Sequence, residues 1–298
     1  MSCYHPIRGF RTPDGVVFSE LSRYEVLGDV EVPCGQCIGC RMRRASDWSL
    51  RVMHEASFSD ANSFVTLTYA PGCLSSWSLV HTDFERFMKR LRFRFRPRPI
   101  RFYMCGEYGD RFGRPHFHAC LFNVDFRSDS KPAGKSGAGF VYYTSDVLSS
   151  LWPHGRAVVQ PLTRETAEYS ARYILKKVTG DAAQAAYSFV DPDTGEIIQR
   201  KPEYAAMSLK PGLGFNWFQK YWRDVYPHDF VIFEGRKFRP PRYYDKLLSR
   251  MPGLTPDFVE FARKNRAMLA AADNTDERRA VREAVHLAKI RNLQRSIE

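Results

Sequence analysis

Several absences narrow the reading of this sequence before any residue is singled out. No run approaches the roughly 18 apolar residues that a membrane-spanning helix needs, so no membrane association is expected. The first ten residues, MSCYHPIRGF, contain no apolar core, so a secretory leader is not expected. No G-x-x-x-x-G-K-[ST] stretch occurs, and with it goes a P-loop nucleotide site. There is no internal repeat, and only the chain ends approach low complexity. Cysteine is scarce and odd in number: Cys3, Cys34, Cys37, Cys40, Cys73, Cys105 and Cys120. An odd set without a leader suits a reducing cytoplasm better than a disulfide framework.

Acidic residues are also in deficit. Against 33 Asp and Glu stand 45 Lys and Arg, a formal net charge of +12 over 298 residues. The cations are interleaved with aromatics, as in RFMKRLRFRFRPRPIRFY (86–103). That mixture suits a polyanion bearing stackable bases, a nucleic acid above all. The plain alternative is a soluble basic protein.

Patterning predicts the elements. Residues 1–33 read as irregular or β-rich, and RMRRASDWSLRVMHEASF (41–58) as a helix. SFVTLTY (63–69) is β-branched and reads as a strand. HTDFERFMKRLRF (81–93) reads as a helix with a capping box at Thr82 and Glu85, its stripe formed by Phe84, Phe87, Met88 and Leu91. PIRFYMCGEY (99–108) and HFHACLF (116–122) read as a hairpin across GDRFGRP. KPAGKSGAG (131–139) reads as a flexible loop, a short helix follows near 145–152, and RAVVQPL (156–162) is a strand. TRETAEYSARYILKKV (163–178) is a helix with Thr163 as N-cap. DPDTGE (191–196) is a hairpin tip, 209–222 a Gly-rich turn into an aromatic helix, and 254–298 a charged helical tail. The order predicts an α+β fold, an antiparallel sheet carrying helices on one face. Three segments are expected: a Cys-rich extension and helix over 1–60, a core over 61–180, and a basic, aromatic extension with a helical tail over 181–298.

The chemistry concentrates in a few places. On a strand, His116, His118 and Cys120 share one face, and Phe117, Ala119 and Leu121 share the other. Two imidazoles about 7 Å apart along the strand can converge on one divalent cation. Glu107 lies just before the turn, and the hairpin brings it beside His116. One oxygen and two nitrogens suit Mn²⁺ or Mg²⁺, and also Zn²⁺. The bland reading is a histidine pair on a wet sheet face. On the helix over 163–178, Ala167, Ala171, Ile174, Leu175 and Val178 form an apolar stripe. Tyr169 and Tyr173, four apart, share a face roughly opposite it, bordered by Lys176 and Lys177. Lysines and a cation favour phenolate, the form that attacks a phosphodiester. The bland reading is two amphipathic tyrosines at a seam.

The order FVTLTY, PHFHACLF, YSARYILKK resembles the HUH endonucleases that initiate rolling-circle replication. Together with VPCGQCIGCR and MSLKPGLG, it is similar to the two-tyrosine replication initiators of microviruses, specifically the gokushovirus branch. The resemblance covers most of residues 1–220. It implies a ferredoxin-like or RRM-like core with decorations at both ends. It implies His116, His118 and Glu107 as metal ligands for Mn²⁺ or Mg²⁺, Tyr169 and Tyr173 as paired nucleophiles, and Lys177 as their basic companion. It implies single-stranded origin DNA as substrate, a 5′-phosphotyrosine intermediate, host helicase or polymerase as partners, and action in the bacterial host's cytoplasm. Arg114, Arg172, Lys176 and Lys210 are the expected DNA contacts. A transposase or relaxase of the same superfamily, or a non-catalytic nucleic-acid-binding protein, would share much of this pattern.

Cys34, Cys37 and Cys40 form C-x₂-C-x₂-C and suit a structural Zn²⁺, with Cys3 or His5 as fourth ligand. An iron–sulfur cluster is less expected, because the x₃-Cys-Pro continuation is absent. Free thiols capping the next helix are the alternative.

Overall fold

The computed structural model describes residues 3–19, 24–109, 113–136, 139–173, 178, 180–192, 194–252 and 257–294; side chains at 172, 173 and 291–294 lie outside that description. In chain order the first elements are β1 (Ile7–Thr12), β2 (Gly15–Val17), β3 (Gly28–Val32), α1 (Ile38–Ala56), β4 (Asn62–Tyr69) and α2 (His81–Arg94). Then come β5 (Arg101–Tyr108), β6 (Pro115–Phe122), β7 (Lys131–Lys135), β8 (Val141–Thr144), α3 (Asp146–Leu151), β9 (Gly155–Gln160) and α4 (Arg164–Tyr173). The remainder are α5 (Ala183–Ala186), β10 (Ser188–Val190), β11 (Ile197–Gln199), β12 (Tyr204–Met207), α6 (Phe215–Val225), β13 (Val231–Phe233), β14 (Arg236–Phe238), α7 (Arg242–Leu248), α8 (Asp257–Leu269) and α9 (Asp276–Gln294). No helix among the described residues is long and apolar enough to cross a membrane.

Contacts divide the chain into two compact units: Met1–Arg44 with Thr255–Glu298, and Ala45–Leu254. Because the tail joins the N-terminal segment, the first unit is discontinuous in sequence, unlike three consecutive segments divided at 60 and 180.

The larger unit is an α+β fold around one antiparallel sheet of order β12-β5-β6-β4-β9-β8-β7. Its central strands, β5-β6-β4-β9, with α2 and α3 as connections, make the split β-α-β-β-α-β arrangement of a ferredoxin-like core. In α2 the buried residues Phe84, Phe87, Met88 and Leu91 recur at helical spacing and meet Val65, Leu67, Phe117 and Leu121 of the sheet. Each such side chain contributes about 1.5–3 kcal/mol by leaving water. α3 begins at Ser145, whose hydroxyl accepts from the Leu148 amide at 3.0 Å. Gly155 enters β9 at φ +151°, and a Cβ there would lie 2.2 Å from the Ala70 amide nitrogen. Only glycine lets β9 start so close beside β4.

Four local expectations are corrected. First, helices cover both faces of the sheet. Phe64, Tyr103, Cys120 and Phe122 point away from α2, and Val52 and Ala56 of α1, with Ala167 of α4, cover them. Second, the capping box is not made: α2 has Val80 at its N-cap with no side-chain cap bond. Its first turn is held otherwise, by Asp83 accepting from the Tyr69 hydroxyl at 2.8 Å. Third, KPAGK is not a loop but the edge strand β7, paired with β8 across a shift between Pro132 and Gly134. An edge position tolerates a proline that has no amide hydrogen to give. Fourth, the buried side of α4 is not the apolar stripe alone, since Thr166 and Ser170 lie in it with Ala167 and Ala171. Those two hydroxyl residues rotate the buried side by roughly 50° toward Tyr169 at 100° per residue.

Other readings held. Thr163 caps α4, its hydroxyl accepting from the Thr166 amide at 3.4 Å while the Thr166 hydroxyl accepts from the Thr163 amide at 2.9 Å. β10 and β11 pair across DPDTGE. Gly214, in left-handed backbone at φ +79°, leads into α6. There His54 of α1 stacks on Trp217, ring centroids 3.6 Å apart, and its Nδ1 is joined to the Tyr244 hydroxyl at 2.7 Å. Burial keeps this imidazole neutral, with its pKa pushed down to about 3.

In the smaller unit β2-β1-β3 form an antiparallel sheet. The buried Arg279 of α9 binds Glu31 of β3 at 2.6 Å and Asp276 at 3.2 Å.

Candidate metal centre and tyrosine helix

The β5–β6 ladder sets the site. Its register pairs Glu107 directly with His116, and Cys105 with His118. The β4–β6 ladder sets Thr66 opposite His118 and Thr68 opposite His116. Directly paired residues project to the same face, so the carboxylate, both imidazoles and the two threonines share one side of the sheet.

The imidazoles are oriented from behind. His116 Nδ1 faces the Arg114 carbonyl at 3.1 Å, and His118 Nδ1 faces the Thr66 hydroxyl at 2.9 Å. A carbonyl can only accept, so His116 Nδ1 donates, and its Nε2 carries a lone pair whenever the ring is neutral. Both Nε2 atoms point at Glu107 Oε1, at 2.6 and 2.8 Å. A carboxylate oxygen and two imidazole nitrogens this close require shared protons or a cation between them. Glu107 and His118 are only 2% and 4% exposed, so bulk water does not screen the group. Burial pushes the Glu107 carboxyl up, but hydrogen bonds to His116 and His118 outweigh it and hold the pKa below the ordinary value. The ligand atoms of Glu107, His116 and His118 form a group able to hold a metal ion, with the oxygen-and-nitrogen donor set of a divalent cation.

α4 lies over this face, packed on β5 and β6. Its small residues Ala167, Ser170 and Ala171 are fully buried and allow a close approach. Tyr169 is half-buried, with its ring edge-on to His118 at 5.2 Å between centroids, and near Phe64 at 6.3 Å. The phenol is therefore not on a face opposite the packed side. It flanks the seam and reaches the imidazole group. The side chains of Arg172 and Tyr173, together with Lys176 and Lys177, lie outside the described residues.

The other expected DNA contacts are placed differently. Arg114 Nη1 donates to the Tyr69 carbonyl at 3.4 Å, and the Arg114 carbonyl orients His116. Lys210 is exposed just after β12, whose Met207 pairs with Tyr103. It therefore lies toward the Arg101 end of β5, about 20 Å along the strand from Glu107. Sequence reading missed Thr66. The alternation of FVTLTY, set against H-F-H, carries that signal once the strands are paired.

A second group stands in the smaller unit. The sulfur atoms of Cys3, Cys34, Cys37 and Cys40 all lie within 4.8 Å of one another and are able to hold a metal ion. Cys3 therefore joins the C-x₂-C-x₂-C run, while His5 Nε2 pairs with Glu283 Oε2 at 2.7 Å instead. Burial raises the Cys37 thiol, but the Tyr4 amide and further donors outweigh it and bring its pKa down to about 6.

A sequence model of the replication-associated protein family, ORF2 type, matches residues 62–178, the span from β4 to the end of the tyrosine-bearing segment. "Replication-associated protein VP4" of Bdellovibrio phage phiMH2K is 33% identical over 82% of this chain and 76% of its own length. "Replication-associated protein ORF2" of Spiroplasma virus 4 is 28% identical over 84% of this chain and 81% of its own. "Replication-associated protein ORF4" of Chlamydia phage 1 is 29% identical over 76% of this chain and 56% of its own. No solved structure matches the chain.

Proposed function

The chain belongs to the family of phage replication-associated proteins, and we propose that it starts rolling-circle replication by nicking and rejoining single-stranded origin DNA through tyrosine. The observation that carries this reading is the convergence of Glu107 Oε1, His116 Nε2 and His118 Nε2 beneath the Tyr169 ring. Glu107, His116 and His118 would hold a divalent cation, Mn²⁺ or Mg²⁺. When bound there, it polarises the scissile phosphate and offsets the charge that builds on its oxygens.

The chain's own residues perform the rest. Thr66 and the Arg114 carbonyl keep both imidazoles turned toward the phosphate. The oxygen of one tyrosine, Tyr169 or Tyr173, attacks phosphorus. The bond to the 3′ oxygen breaks, and that oxygen leaves as a hydroxyl carrying the proton the phenol gives up. The 5′ phosphate stays on tyrosine, preserving the bond energy without ATP, and a host polymerase extends the free 3′ end. The second tyrosine then attacks the regenerated origin, and the freed 3′ hydroxyl displaces the first adduct. Lys177 supports the phenolate as a nearby cation. Arg172, Lys176 and Lys210 contact the DNA backbone. The +12 net charge and interleaved aromatics suit a single strand. We read the four thiols as a structural zinc site that takes no part in this chemistry.

The test uses single-stranded oligonucleotides tiling the encoding genome, incubated with the full chain and Mn²⁺. A covalent adduct is expected on a denaturing gel, with mass spectrometry placing the nucleotide on tyrosine. Changing Tyr169 and Tyr173 together to Phe abolishes it. An undiminished adduct from the double variant would refute the nucleophile assignment.

A further inference from the structure

We infer that zinc at Cys3, Cys34, Cys37 and Cys40 clasps the chain's two ends together, so that docking of the C-terminal helix α9 depends on the metal. This rests on the reading of the four thiols as a zinc site. The geometry of the sulfurs supports that reading closely. Four thiolates at about 2.3 Å from a tetrahedral ion lie about 3.8 Å from one another. The Cys3 sulfur lies 3.7 Å from that of Cys34 and 3.9 Å from that of Cys37. Amides point at the sulfurs as they do at thiolates: Cys34 N–H to Cys3, Cys37 N–H to Cys34 and Tyr4 N–H to Cys37, each at 3.3 Å. One of these donors, Tyr4, comes from the opposite arm of the cluster, so both arms close on the same centre.

The residues that the metal would fix are the ones that hold α9. The Tyr4 hydroxyl meets His286 Nδ1 at 2.9 Å, and His5 meets Glu283 at 2.7 Å. Glu31, three residues before Cys34, binds Arg279 at 2.6 Å. Arg279, Glu283 and His286 are spaced by four and three residues, one face of a helix. That face touches both approaches to the cysteine cluster and spans up to 282 positions of sequence.

Nothing else in this unit supplies comparable holding power. Among its described residues the buried apolar side chains are Cys3, Cys40 and Val259, while Phe18, Leu27, Phe261 and Leu269 are each more than half exposed. A unit that buries so little apolar surface cannot offset its chain entropy by packing alone. Small folds in that position are completed by a metal, whose binding energy becomes folding energy.

The experiment uses the full chain carrying His116→Ala and His118→Ala, which empties the other group. Elemental analysis is expected to find one zinc per chain, and none after Cys34→Ser with Cys37→Ser. Cobalt exchange is expected to give tetrahedral thiolate spectra. Absence of stoichiometric zinc, or iron in its place, overturns the site and the clasp together. Hydrogen exchange is then followed as a chelator withdraws the zinc. Peptides across 3–12 and 276–290 are expected to lose protection at least tenfold, while those across β4, β5 and β6 keep theirs. Zinc that leaves without any change in α9 overturns the clasp and leaves the site standing. A Tyr4→Phe, His5→Ala variant, thiols intact, separates the two again: it is expected to retain zinc and lose α9 protection, and retained protection overturns the clasp.

Discussion

Replacing Ala167 by leucine tests whether the seat of α4 positions the proposed nucleophile. Ala167 is fully buried among Phe64, Tyr103 and Cys120, with Ser170 and Ala171 equally buried beside it. The three carbons that leucine adds find close-packed neighbours. Overpacking of that kind costs about 1–3 kcal/mol, and the softest response is for α4 to rise from the sheet. Tyr169 sits two residues further along the same helix and is carried off with it. Misplacing a reacting group by about 1 Å slows a reaction roughly 10²-fold. The variant should melt roughly 2–10 °C lower and still bind Mn²⁺ as the parent does, because Glu107, His116 and His118 stand on strands the substitution does not touch. Adduct formation should slow about a hundredfold by the position argument. Calorimetric Mn²⁺ titration and gel-resolved adduct kinetics on one preparation decide the matter. A folded leucine variant with parental adduct kinetics would show the reasoning to be wrong.

Further outcomes follow from the same geometry. Thr66→Val removes the oxygen behind His118 Nδ1 and should weaken Mn²⁺ binding about 10–100-fold, read by calorimetry, with thermal stability nearly unchanged. His54 has a folded pKa near 3 against 6.5 when unfolded. The unfolded chain therefore binds the extra proton between those values. Stability from this group is complete above about pH 6.5 and drains away as pH falls toward 3, by on the order of 5 kcal/mol at most. Urea unfolding of His54→Phe should lose less stability between pH 7 and pH 4 than the parent does. Equal losses would remove His54 from the acid response.

The metal group was readable because hairpin arithmetic is local. A turn at 109–114 and the two-residue alternation of H-F-H suffice to bring Glu107 beside His116, and the ladder has that register. The ferredoxin-like order was readable for a similar reason, since FVTLTY, the 81–93 stripe and RAVVQPL each carry their own period. What escaped depended on partners distant in sequence. Thr66 acquires its place only when β4 pairs with β6. KPAGK looks like a linker until β8 offers it an edge. The tyrosine helix was rotated in the reading because Thr166 and Ser170 counted as polar, whereas both hydroxyl residues are buried against the sheet. The meeting of Tyr4 with His286 has no local signature at all.

The strand bearing both imidazoles is bonded along its length to β5 on one side and β4 on the other. It cannot slide without breaking two ladders at once. The helix above it rests on alanine and serine, a low-friction seat with no interlocking bulk. The anvil is thus stationary and the hammer is free to travel. Two successive strand exchanges can be served by small shifts of one helix over a single fixed pole, with no second pole to assemble.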